Sequence, residues 1–390
     1  MIKIPDFRFY ITLFHSDSYG SEKILPQIEP ILKPLVNNLE LKIKHIDKFP
    51  YRQYDQLSVL EIKIGEIDTS IDPKPSKVFE LSNTIKTTLA KLNDEIYEIM
   101  FDDLNLYPYA ITIASGIGNE QNLMWTKENL EKHKEELGSW VEYYSGHYDD
   151  YSDELYRTRI ANNLSNRLSE LHYIRSNSAF IYMERHDPRW KNWMDYMESY
   201  FIDHILLARS ITYVLMVLNM ELDQISKRIR KLPPGAIKRI EEELKFIEEL
   251  RLLVVEITSK LTQEKLMNRL SHSTKIVNEC FNVFSIDNAY HLIDDKISQL
   301  QIRLEKEQRT VQMQLQSQQK RWILILNALI GYQVAFNVLD RAANFFGFQN
   351  TSLYDLLDGL IWAILLGMVI FVIGGFIITF LKTRKKIQEE

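Results

Sequence analysis

Gly359 to Leu381 reads GLIWAILLGMVIFVIGGFIITFL, a run of about 23 residues without a charged side chain. At about 1.5 Å rise per residue it is long enough to cross the hydrocarbon core of a bilayer. Few soluble helices are apolar on every face, so the stretch predicts a membrane protein. Working back toward the N-terminus, Trp322 to Leu339 (WILILNALIGYQVAFNVL) is a second candidate, interrupted by Asn327, Gln333 and Asn337. Polar side chains are costly in hydrocarbon, so this helix is expected to face partner helices or water while the other faces lipid. Lys320 and Arg321 precede the first span, and Lys382, Arg384, Lys385 and Lys386 follow the second; Asp340, Arg341, Asp355 and Asp358 lie between them. The positive-inside rule then places both termini in the cytoplasm, with the inner membrane as the location.

Ahead of these spans, roughly the first 320 residues hold no run apolar enough to cross a membrane. The opening MIKIPDFRFYITLF lacks a basic segment, an apolar core and a small-residue cleavage site, so a cytosolic soluble region is expected. Cys280 is the only cysteine, which excludes an intrachain disulfide and a multi-cysteine metal site. The net charge of −6 gives no basic excess that would argue for direct nucleic-acid binding.

Within residues 1–118, Phe7–Phe14, Leu39–Ile46, Leu57–Ile64 and Tyr109–Ala114 are rich in β-branched and aromatic residues, several at period two, and predict strands. Ser21–Asn38 and Lys77–Met100 read as helices. A helical region is expected over 119–287, with helices at Asn119–Tyr144, Ser152–Arg185, Asp187–Leu232 and Ala236–Phe284. Pro233, Pro234 and Gly235 separate the last two. The expected fold class is therefore α+β: a cytosolic α/β domain (1–118), a helical bundle (119–287), a stalk helix (288–321), a pore-lining transmembrane helix (322–345), an outer loop (346–358), a second transmembrane helix (359–381) and a basic cytosolic tail (382–390).

Along the stalk, Ile293, Ile297, Leu300, Leu304 and Val311 fall at alternating three and four spacings. That pattern suits packing against equivalent neighbours, and equally a core helix of one folded domain. Farther on, Gln312, Gln316 and Gln319 share a face that continues through Ile323, Leu326 and Ile330 to Gln333, Asn337, Asp340 and Asn344. A polar, apolar, polar succession on one face fits a gated pore lining; amides joining neighbouring helices would use the same residues.

This order of parts, a cytosolic α/β domain, long helices, a very long helix entering the membrane, a short outer loop, a second span and a basic tail, resembles the CorA family of pentameric magnesium channels and its zinc-transporting relatives. In that family a Gly-Met-Asn signature closes the first span and gathers hydrated cations. Here the corresponding place holds Gly347, Phe348, Gln349 and Asn350. The altered loop and enlarged helical region are similar to the CorA-like branch of type III CRISPR loci. The resemblance to that branch implies a membrane effector controlled by a nucleotide second messenger, an adenosylmethionine-AMP conjugate. The resemblance thus implies a homo-oligomer, a pentamer, in a lipid bilayer with a small anionic ligand. A divergent magnesium or other divalent-cation transporter, and a non-conducting membrane scaffold, are the alternatives.

No phosphate-binding glycine loop, HExxH, CxxC or GxSxG motif is present, so no enzyme is expected. Asp149, Asp150 and Asp153 form a density of carboxylates suited to a hard divalent cation such as Mg2+, or to a solvated acidic loop. Tyr151 beside Arg157 and Arg159 offers a ring and two guanidinium forks for an anionic aromatic ligand. Asn163 and Arg167 share their helical face, as they would on an ordinary exposed helix. Arg209 lies among apolar neighbours, where it needs a pairing partner, Asp203 or Asp223, or an anionic ligand.

Overall fold

The computed structural model describes residues 2–17, 21–35, 39–51, 54–70, 75–95, 99–101, 108–117, 123–142, 152–184, 187–231, 236–267 and 271–346, together with Gly359 and Gly367, both helical. The chain divides into two units, residues 1–308 and 309–390.

The first unit is built on a mixed sheet. The four expected strands are present as β1 (Ile2–His15), β2 (Glu40–Tyr51), β3 (Tyr54–Ile67) and, after the short β4 (Ile99–Phe101), β5 (Tyr109–Ile117). Beyond residue 118, β6 (Leu171–Ile174) and β7 (Ser178–Tyr182) extend the same sheet, giving the order β2-β3-β1-β5-β7-β6 with β4 also on β1. Neighbours run antiparallel except β5 and β7, which pair in parallel from Ala110 opposite Ser178 to Ala114 opposite Tyr182.

Two expected helices are corrected here. Ser152–Arg185 holds one short helix, α5 (Asp153–Ile160), followed by the β6–β7 hairpin. Leu171–Ile174 and Ser178–Tyr182 are aromatic and β-branched around a Ser176-Asn177 turn. Each strand is buried along its whole length, a setting that favours strand over helix. Asn119–Tyr144 contains α3 (Lys127–Lys132), capped by the Thr126 hydroxyl, and α4 (Lys134–Val141), with a break at His133.

β1 explains the layering. Phe7, Phe9, Ile11 and Leu13 alternate with Tyr10, Thr12 and Phe14, and all are buried. Successive strand side chains point to opposite faces, so a strand buried at both parities is covered on both. One face packs on α1 (Ser21–Leu32) and α2 (Ser76–Glu95) through Ile24, Ile28, Ile85 and Leu89. The other meets a helical layer: α6 (Trp190–Met197), which continues through a π turn (Glu198–Ile202) into α7 (Asp203–Arg230), α8 (Ile237–Met267), α9 (Ser271–Val283) and the start of α10 (Ile286–Phe346). Burying one large apolar side chain contributes about 1.5–3 kcal/mol. Ser285 turns the chain from α9 into α10 with φ of 51°, a left-handed conformation uncommon outside glycine.

Ile293, Ile297, Leu300 and Leu304 on α10 are buried in the same core as α7 and α8. In this part of the stalk the alternating stripe therefore packs within its own chain, as a core helix does.

Candidate ligand cavity and membrane segment

Among the described residues, two helices are long and apolar enough to cross a membrane. The first, Trp190–Arg230, comprises α6 and α7, and 78% of its apolar window is buried inside the first unit, as in a core helix. The second, Ile286–Val338 on α10, has none of its window buried. Ile323, Leu326 and Ile330 are each more than half exposed, and Gln333, Asn337 and Asn344 are exposed too. Ile325, Leu329, Tyr332 and Phe336, on a neighbouring face, are half-buried, as is Asp340, which accepts a hydrogen bond from Asn344 at 3.5 Å. Of the expected pore stripe, Ile323, Leu326, Ile330, Gln333, Asn337 and Asn344 are thus exposed and Asp340 is half-buried. Gly347, Phe348, Gln349 and Asn350, and the span 359–381 apart from its two described glycines, lie outside the described residues.

The ligand residues expected from sequence are not brought together. Arg157 is half exposed on α5 and grips Glu131 with Nε at 3.0 Å and Nη2 at 2.6 Å from its carboxylate oxygens. Arg159, two residues on, is buried, with Nε 2.9 Å from a Glu142 oxygen. The two guanidinium groups serve different carboxylates. Asp153, offered above as a metal ligand, instead pairs with Lys134 at 2.6 Å; Asp149, Asp150 and Tyr151 lie outside the described residues. Arg209 is buried on α7. Of its expected partners, Asp203 pairs with Lys44 and Asp223 with Lys296.

Arg167 does line a cavity, of about 350 Å³. Asn163 shapes the loop that leads to it: its side-chain oxygen accepts from the backbone N–H of Ser165 (3.1 Å) and His172 (2.9 Å), and its amide donates to the Glu170 carbonyl (3.1 Å). The loop contributes Asn166, Arg167 and Glu170, β6 contributes His172, α6 contributes Trp193, Tyr196 and Met197, and the first turn of α9 contributes His272. None of the aromatic or histidine members had been singled out as a ligand residue, because the cavity joins segments about 100 residues apart. The one local signal is Glu170 two residues before His172, which puts both on the same face only if the segment is extended.

Three side chains form a hydrogen-bonded chain beside the cavity, with Glu170 next to its buried end. Glu170 Oε2 lies 3.6 Å from His172 Nε2, His172 Nδ1 lies 2.9 Å from His272 Nε2, and His272 Nδ1 lies 2.9 Å from the Tyr196 hydroxyl. Burial pushes His172 well below the ordinary imidazole range. Burial, with Lys275 and Arg167 adding to it, lowers His272 to about 4. Both rings are therefore neutral at pH 7, each with one donor and one acceptor nitrogen. The Glu170 approach is too long for a hydrogen bond, so the two 2.9 Å contacts run in the direction the histidine tautomers set. Tyr196 also stacks on Tyr200 and His272, with centroids at 4.9 and 5.7 Å.

Polar contacts fasten α9 to the same loop. Asn162 donates to Glu279 at 2.9 Å, Asn166 donates to Ser271 at 3.4 Å, and Lys275 donates to Asn166 at 2.6 Å. Comparison with known protein families, curated proteins and solved structures finds no match.

Proposed function

We propose that the chain forms a CorA-like membrane channel, a homo-oligomeric, pentameric ring, opened by a small ligand bound to its N-terminal domain. The observation that carries this reading is the exposure of Trp322, Ile323, Leu324, Leu326, Ile330, Val334 and Val338 on a single helix. Such a patch is larger than water-facing surfaces tolerate, and lipid and other copies of the helix are its natural cover. One helix per subunit cannot enclose a pore, so closed symmetry follows from the channel reading. Leu326 and Ile330 would form apolar rings that gate by dewetting, with Gln333 and Asn337 as hydrated rings beyond. Because α9 is fastened to the cavity loop and turns at Ser285 into α10, ligand-driven movement of the loop has a covalent route into the pore helix. The ligand implied by the resemblance is the adenosylmethionine-AMP conjugate of type III CRISPR defence.

Reconstitution into vesicles tests this. Leu326→Asn should admit water and raise ion flux without ligand, while the parent protein conducts only when the conjugate is added. Flux equal to empty vesicles in both, with the oligomer assembled, would remove the channel reading and leave the scaffold. Restoration of growth to a magnesium-uptake mutant without ligand would instead assign divalent-cation transport.

A further inference from the structure

At the cavity of Arg167 and Glu170 the two guanidinium groups are engaged to different degrees. Arg167 reaches Glu170 Oε1 through one nitrogen at 3.3 Å, and Arg189 stands 4.0 Å from the same oxygen while holding Asp187 with its fork. Both guanidinium groups are about half exposed, whereas the Glu170 side chain is almost wholly buried. A guanidinium is satisfied best by two oxygens of one anion. Glu170 offers one oxygen to two arginines, and its other faces Ser165 and His172. Arg167 meets Glu170 through one nitrogen only, and Arg189 keeps Nη1 outside its pair with Asp187.

The remaining walls suit a ring. Trp193 lines the cavity next to Tyr196, whose ring belongs to the stack with His272. Aromatic faces hold planar ligands by stacking, and amide side chains such as that of Asn192 hydrogen-bond to ring edges. A volume near 350 Å³ is at the small end of the range of about 300–1,000 Å³ for small-molecule sites, enough for one ring system and one anionic group.

We infer that this cavity is the binding site for a phosphate bearing a planar ring, of nucleoside-monophosphate size, with the phosphate on Arg167 and Arg189 and the ring against Trp193 and Tyr196. The inference deepens the ligand-sensing half of the proposed function and needs no pore. In it Glu170 is the internal competitor of the ligand: the phosphate replaces the carboxylate on Arg167.

The test is calorimetric titration of the full chain in detergent with AMP, adenosine, ribose 5-phosphate and inorganic phosphate. AMP should bind saturably and more tightly than each of the other three. Alanine at both Arg167 and Arg189 should weaken AMP binding by about tenfold or more, the loss expected for charge-assisted hydrogen bonds. Arg157→Ala, a change outside the cavity, should leave it unchanged. Glu170→Gln keeps the shape of the side chain and removes the competing charge, so it should tighten AMP binding. A merely structural carboxylate would give weaker or unaltered binding there. No saturable AMP binding by the parent chain, or AMP affinity unmoved by both the double arginine variant and Glu170→Gln, overturns the assignment. Because vesicle flux is not read, such a failure leaves the channel reading standing, and a silent channel leaves this site standing.

Discussion

The helix formed by α6 and α7 and the helix α10 have nearly the same credentials in composition, and the structure gives them opposite surroundings. Residues 190–230 contain a more apolar window than residues 286–338, with mean hydropathies of 1.6 and 1.2, yet the first is the one largely buried in a folded core. Apolarity measures the wish to leave water and says nothing about which medium is entered. What separates the two is neighbours. On α7, Ile211, Val214, Leu218 and Leu222 meet the sheet and the adjoining helices. On α10 beyond Arg321, Ile323, Leu324, Leu326, Ile330, Val334 and Val338 stay uncovered within the chain.

The same substitution in both places gives the largest contrast. Leu218→Asn places an amide in a fully buried site, combining lost burial with a polar group that finds no ready partner, and should cost about 3–5 kcal/mol of folding stability. Leu326→Asn, on an uncovered face, should leave the thermal midpoint of the first unit unchanged. Calorimetry of the two variants in detergent reads this directly. Equal destabilisation by both would mean that Leu326 is part of a folded core and that the two helices are not different in kind.

That contrast also marks what sequence could deliver. Period-two alternation in Phe7–Phe14 and Leu57–Ile64 announced strands because the side chains on each face are nearly all apolar or hydrogen-bonded. The β6–β7 hairpin escaped because Asp153–Ile160 starts a real helix and the next apolar residues continue an acceptable helical spacing. Only long-range pairing with β5 decides for strand. The cavity was legible in part: Arg167 was picked out, and Asn163 proved to organise its loop. Arg157 and Arg159 were expected to act together as alternate members of one helix, yet their side chains diverge by about 200° around the axis. One meets Glu131 and the other Glu142. His272 carried no signal, since its partner His172 is contributed by a different part of the chain.

Glycine substitutions sharpen the comparison at smaller scale. A Cβ at Gly138 on α4 would stand 2.7 Å from Tyr156 Cδ1 and 3.4 Å from the Tyr156 backbone Cα, so α4 and α5 could no longer approach as they do. Gly138→Ala should cost about 1–3 kcal/mol net of its helix-propensity gain. At Gly331 on α10 a Cβ meets nothing within 4 Å, and Gly331→Ala should stabilise the helix by up to about 1 kcal/mol. Thermal unfolding of each variant, with oligomer size checked alongside, gives the two signs. Loss of assembly on Gly331→Ala would show that this face is packed against another subunit.

The smallest expected effect is a pH dependence confined to the first unit. No histidine follows His291, so the apolar stretch of α10 has no imidazole to titrate. In the first unit, burial lowers His172 and His15, and burial with Lys275 and Arg167 lowers His272 to about 4. A histidine held neutral in the fold binds fewer protons than in the unfolded chain between its folded value and about 6.5. Its stabilising contribution is complete above that upper value and is lost as the pH falls toward 4. The thermal midpoint of the first unit should therefore decline from pH 7 to pH 5, and His272→Gln should flatten part of the slope. The acid side of the window is separable, because the carboxylate of Glu131, hydrogen-bonded by Arg157 and Lys134, is drawn down to about 2 and titrates below it. Helical content of the detergent-embedded segment should stay level over the same range. A midpoint that rises on acidification, or a slope that His272→Gln leaves untouched, would mean that the Tyr196–His272–His172 chain is not held neutral by its burial.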